Sequence, residues 1–168
     1  MKKIYFISLG CDKNLVDSEE MMGMLQNEGY LITDDETKAD IAVVNTCCFI
    51  HDAKEESIEA IIEMGKLKDE GNLKGLVICG CLAQRYKDEI EKELPEVDAV
   101  IGTAALDSII DACNKITVNT GMNKMYKHEN ADFYISNLTG KIHINKNRVL
   151  TGAGYTAYLK IAEGCDKH

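Results

Sequence analysis

Basic charge is scarce in this 168-residue sequence: 19 Lys and Arg stand against 28 Asp and Glu, a formal net charge of −9. A protein that grips nucleic acid through its phosphates needs the opposite balance, so strong nucleic-acid binding by this chain is not expected. Long apolar runs are also missing. None approaches the roughly 18 to 20 residues that span a bilayer, and the amino terminus lacks the charged, apolar and small-residue regions of a signal peptide, so a cytoplasmic chain without a membrane role is expected. Seven cysteines in 168 residues fall short of the roughly 8 to 10% typical of a disulfide scaffold. In a reducing cytosol they must answer to metal binding, redox chemistry or burial.

A hydrophobic content of 45% is enough to build a core and excludes disorder throughout, and the length fits one domain or one domain plus a fragment of another. Charge is unevenly spread. Residues 1–114 carry 11 basic and 24 acidic side chains, a net −13, whereas 115–160 carry 7 and 2, a net +5. A composition break therefore lies near residue 115.

The run Lys3 to Leu9, closed by Gly10, reads as a strand buried on both faces of a parallel sheet. A helix follows, with Asn14 as its cap, Asp17 and Glu19 near the positive end of its dipole, Leu15, Met22 and Leu25 on one face, and Gly29 at its end. The unit recurs as Ile41 to Thr46 before a helix with Ile58, Ile61 and Ile62, and as Leu76 to Ile78 before a helix with Leu82, Tyr86, Ile90 and Leu94. Short strands are expected at Tyr30–Thr33 and Ala99–Ile101, and Leu106, Ile109, Ile110 and Cys113 share one face of a last helix. Strands alternating with helices predict an α/β fold: an open parallel sheet with helices on both faces, flavodoxin- or Rossmann-like, wound by right-handed crossovers. Residues 1–116 form this domain. The Asn- and Lys-rich stretch 117–153 reads as a linker with one short hairpin, and Thr156 to Ala162 as a strand that opens a second domain over 154–168.

Cys11, Cys47 and Cys81 each follow one of the predicted strands. The carboxyl ends of parallel strands share one edge, where ligands of open α/β sheets bind, so thiols 36 and 34 residues apart can converge there. Each also precedes a helix, whose dipole favours thiolate. Three thiolates suit an iron-sulfur cluster with one iron left open. Plain burial of small apolar side chains remains open beside it, as does a Cys3His zinc site that takes His51 as its fourth ligand. No Gly-rich or Ser/Thr-rich phosphate loop follows the first strand, which counts against a flavin. Cys113 completes a helical face and reads as core; spacing does not choose between Cys79 and Cys81, or between Cys47 and Cys48. The acidic runs Asp34 to Glu36, Glu55-Glu56 and Glu89 to Glu93 read as solvated faces.

Four motifs then become specific. Leu9-Gly10-Cys11-Asp12-Lys13-Asn14-Leu15-Val16-Asp17-Ser18-Glu19, Asn45-Thr46-Cys47 and Gly80-Cys81-Leu82-Ala83-Gln84-Arg85-Tyr86 together resemble the amino-terminal domain of the radical S-adenosylmethionine methylthiotransferases. Ala157-Tyr158-Leu159-Lys160-Ile161-Ala162-Glu163-Gly164-Cys165 resembles the opening strand of the radical domain in the same family. The run after Cys11 is similar to the branch that modifies an aspartate of small-subunit ribosomal protein twelve; the transfer-RNA branch carries Gln-Met-Asn there.

The resemblance implies that Cys11, Cys47 and Cys81 hold an auxiliary [4Fe-4S] cluster whose open iron carries sulfur destined for the substrate. It also implies a second cluster, held by C-x-x-x-C-x-x-C, of which Cys165 matches only the first cysteine. The full-length enzyme would use S-adenosylmethionine to form a radical that removes hydrogen from the target aspartate. This chain by itself is expected to be inactive. Asn14, Asn45, Thr46 and Gln84 are candidates to tune the auxiliary cluster by hydrogen bonds. Two other readings stay open: the same domain of a transfer-RNA methylthiotransferase, and a non-catalytic zinc or thiol-redox module. Nothing in the sequence identifies the sulfur donor.

Overall fold

The computed structural model of the chain describes residues 1–121, 131–136 and 147–162, with the side chains of 119–121 left aside. Its elements run β1 (Lys3–Ser8), α1 (Asp12–Asn27), β2 (Leu31–Thr33), β3 (Ile41–Thr46), α2 (His51–Asp69), β4 (Gly75–Gly80), α3 (Cys81–Arg85), α4 (Lys87–Glu93), β5 (Ala99–Ile101), α5 (Ile109–Gly121) and β6 (Asp132–Tyr134), with short 3-10 turns at Glu36–Lys38 and Leu106–Ser108. The six strands form one sheet in the order β2-β1-β3-β4-β5-β6, and every pairing is parallel.

The period-two alternation of the strands sorts their side chains between two layers. Ile4, Ile41, Val43, Val77, Cys79, Ala99 and Ile101 pack with Met21 and Leu25 of α1 and with Ile109, Ala112 and Cys113 of α5. Ala42, Val44, Leu76, Ile78 and Val100 pack on the other face with Ile61 and Met64 of α2, Leu82 and Ala83 of α3 and Ile90 of α4. Helices thus cover both faces, as the alternation of strand and helix predicts. β3 and β4 are buried along their whole length, which explains their unbroken apolar runs. β1 is less covered than expected: Ile4 is buried but Tyr5, Phe6 and Ile7 are only partly so.

The structure departs from the sequence reading at four places. The predicted helix over Leu82 to Leu94 is two helices, broken at Tyr86, whose φ of −119° and ψ of 33° do not continue a helix. Past residue 116, α5 continues to Gly121 and β6 adds to β5 in parallel register, Ala99 beside Asp132 and Ile101 beside Tyr134; the expected hairpin is not among the described residues, and 122–130 and 137–146 lie outside them. Residues 156–162 form no strand; Lys160 ties them to Asp17 of α1, and no pairing joins them to the sheet. The winding is not uniform either. β1–α1–β2 moves toward one edge and β3–α2–β4 toward the other, with helices on opposite faces, so the two share one hand. β5–α5–β6 moves the same way as β3–α2–β4 but keeps its helix on the α1 face, and its hand is the opposite one.

Candidate thiol site at the carboxyl edge of the sheet

The strand order contains a switch point. From β1 the chain moves outward to β2 and then returns to place β3 on the other side of β1, so the loops after β1 and β3 part in opposite directions and leave a crevice at their carboxyl ends. Cys11 sits at the amino end of α1 after β1, Cys47 follows β3, and Cys81 opens α3 after β4. The three thiols therefore come from three neighbouring strands. Cys11 is exposed, Cys47 buried, Cys48 and Cys81 half-buried.

Close approach at this edge depends on two glycines. Gly10 has φ +93°, and a Cβ there would lie 2.6 Å from Cys47 Cβ and 2.8 Å from Cys47 Sγ. Gly80, immediately before Cys81, has φ +95°, and a Cβ there would lie 2.5 Å from the Thr46 carbonyl oxygen. Both positions take a backbone conformation that costs any other residue energy and both leave no room for a side chain.

A buried polar network fixes the loops around the thiols. Asn14 Nδ2 donates to the Leu9 carbonyl at 2.9 Å and the Thr46 carbonyl at 3.0 Å, tying the end of β1 to the end of β3. Its Oδ1 lies 3.9 Å from Cys81 Sγ. Asn14 is therefore a bridge and not the expected helix cap, a position Cys11 occupies without a side-chain bond. Asn45 Nδ2 donates to Asn14 O at 2.8 Å and to Ser18 Oγ at 3.0 Å, and Thr46 Oγ1 donates to Cys79 O at 2.6 Å. The Cys47 N–H donates to Ser57 Oγ at 3.0 Å, and that hydroxyl lies 2.8 Å from the Ala53 carbonyl. Gln84 points elsewhere: its Nε2 donates to Ser136 O beyond β6.

The helix dipole does not decide the state of Cys81. Burial pushes its thiol up to about 11, against the lowering influence of Lys13, and the neighbouring cysteines add to the rise. A metal would supply the missing positive charge, since a coordinating thiol loses its proton. Cys79 is separated from Cys81 by the turn at Gly80, whose φ of +95° ends β4 and lets α3 begin: Cys79 lies fully buried on the α1 and α5 face, its Sγ 3.7 Å from Val44 O. Burial pushes Cys113 up to about 12 in the same layer.

His51 does not join the thiols. Its ring is 79% exposed and faces Glu55 at 3.2 Å, so the Cys3His arrangement is not built. Among the described residues no three His, Cys, Asp or Glu side chains are gathered to hold a single metal ion. Zinc ligands converge at roughly 2.1 to 2.3 Å on one ion, whereas thiolates of a [4Fe-4S] cluster each take a different iron. The donor set, all sulfur and drawn from three strand ends, fits such a cluster. Cys165 lies outside the described residues.

Sequence reasoning missed the roles of Asp17 and Glu19. Both are buried on α1 and paired with the chain after residue 146: Lys160 Nζ reaches Asp17 Oδ1 at 2.5 Å, and Arg148 Nε reaches Glu19 Oε2 at 2.6 Å. No signal in the sequence marked them, because they stand in the polar run Asp17-Ser18-Glu19-Glu20.

Residues 3–102 match the family described as uncharacterized protein family UPF0004. The chain is 54% identical over 166 residues to the ribosomal protein uS12 methylthiotransferase RimO of Lachnoclostridium phytofermentans, covering 99% of this chain and 36% of that protein. It is 51% identical over 165 residues to the RimO of a Thermoanaerobacter species, covering 98% and 35%. It thus spans about a third of the length of these curated relatives. Among solved structures, the solution structure of a de novo designed Rossmann 2x3 fold protein is similar with a TM-score of 0.44 at 18% identity, covering 76% of this chain and 97% of that one. With 100 of its residues matched in order, thiol motifs included, the chain belongs to the UPF0004 family.

Proposed function

We propose that this chain is the cluster-binding domain of a cytoplasmic methylthiotransferase, and that Cys11, Cys47 and Cys81 hold its auxiliary [4Fe-4S] cluster. One observation supports the reading: the three cysteines follow three adjacent strands, β1, β3 and β4, at the carboxyl edge of the sheet. The names of the relatives support ribosomal protein uS12 as the substrate of the whole enzyme, with an aspartate as the modified residue. Residues 154–168 would begin the radical domain, where Cys165 would hold the second cluster and S-adenosylmethionine would bind. No helix among the described residues is long and apolar enough to cross a membrane.

When bound, the auxiliary cluster supplies an open iron that carries sulfur. The chain's own residues set the conditions. Gly10 and Gly80 let the loops close on the thiols, Asn14 locks two strand ends together and presents its carbonyl oxygen to Cys81, and Lys13 places a cation near a site that gathers negative charge.

Anaerobic reconstitution with iron and sulfide tests the reading. About four irons per chain are expected, lost in Cys11→Ala, Cys47→Ala and Cys81→Ala and retained in Cys79→Ala and Cys113→Ala. Iron that survives all three site substitutions would refute the ligand set.

A further inference from the structure

α1 is buried on more sides than a helix packed on one face of a sheet requires. Met21 and Leu25 face the sheet, yet Asp17, Glu19 and Gly23 are buried as well. Residues 147–160 provide the second cover. The Val149 N–H donates to the Glu19 carbonyl at 3.1 Å, and a Cβ on Gly23 would come within 1.5 Å of the Asn147 carbonyl oxygen, so the strap lies directly on the helix backbone.

Two carboxylates hold it. Glu19 Oε2 accepts from Arg148, and Glu19 Oε1 accepts from the Thr151 N–H at 2.7 Å and the Thr151 hydroxyl at 2.9 Å. Asp17 accepts from Lys160, whose side chain is only 6% exposed, and from Lys13 at 3.3 Å on its own helix. Tyr158 meets Asp12, next to Cys11, through its hydroxyl. A charge pair buried this deeply costs much desolvation unless every partner stays in place, so it specifies one seating of the strap.

We propose that residues 147–160 form a clasp on the outer face of α1, with Glu19 and Asp17 as sockets for Arg148 and Lys160, and that this clasp sets where the chain leaves the domain, beside the thiol end of the helix. The assignment rests on the ion pairs and backbone contacts and holds with or without a cluster.

Amide hydrogen exchange on the 168-residue chain tests it. Val149 and Thr151 should be protected in the wild type. Gly23→Ala, which displaces the strap without touching a charge, and Glu19→Gln should each speed exchange there at least tenfold, with β3 and β4 amides unchanged. Wild-type strap amides that exchange like an unfolded chain, or variants that leave them unchanged, overturn the proposal. Should either helix variant also expose β3, Arg148→Met, which alters only the strap, decides on the same two amides: a tenfold rise upholds the clasp and no change ends it.

Discussion

The residues that shape the thiol edge act through space and conformation more than through charge. Gly10→Ala should cost about 1 to 2 kcal/mol for the left-handed backbone alone, with more from the collision with Cys47; the midpoint of denaturant unfolding measures it. Asn14→Ala leaves two strand-end carbonyls without a donor, which predicts a loss of about 1 to 3 kcal/mol and a weaker hold on iron in the same reconstitution assay. Glu19 adds a pH dependence. Burial alone would raise its carboxyl, but the Thr151 N–H, Arg148 and the Thr151 hydroxyl outweigh that and hold it below its ordinary value. A depressed folded-state pKa contributes stability in full above the unfolded value and loses it as pH falls through the folded one. Asp40, lowered by Lys74 and the Lys3 N–H against its own burial, acts in the same direction. Unfolding midpoints should therefore fall on acidification below about pH 4.5, and Glu19→Gln should flatten that slope; an unchanged slope would remove Glu19 from the account.

At the scale of elements, legibility tracked burial. β3 and β5 were read at their true bounds because a strand covered on both faces leaves an uninterrupted apolar run. β6 was not, because Asp132-Phe133-Tyr134 is a short edge strand with a polar start and no pattern of its own. The break at Tyr86 was also invisible, since Leu82, Tyr86 and Ile90 keep helical spacing across it and only tertiary packing divides them. For the candidate site, the places of Gly10, Cys11, Cys47 and Cys81 after strand ends were legible from the apolar runs that precede them. The pairing of Arg148 with Glu19 was not, because an ion pair between residues 129 positions apart leaves no periodic trace. The turn at Gly80 separates two cysteines that spacing alone could not: Cys79→Ala opens the core layer and should destabilise by about 1 to 2 kcal/mol, while Cys81→Ala should act on iron far more than on stability.

Across the whole molecule, charge and topology divide the labour. The acidic runs on Glu55-Glu56 and Glu89 to Glu93 are exposed on the α2, α3 and α4 side, whereas the basic residues 148 and 160 are spent against α1. High salt should screen the former more than the latter, so strap protection in exchange should survive salt that alters surface ion pairs such as Lys92 with Glu93.

Among the described residues, both ends of the sheet are three-residue strands, β2 and β6. An outermost strand offers its unpaired amides and carbonyls to any extended chain that meets it, and the hazard grows with its length. Here each described rim offers only a short template, which blunts such pairing, while the longer strands β3 and β4 sit at the centre. The apolar sequences most able to pair between molecules, those of β3 and β4, are thereby kept buried in the folded domain.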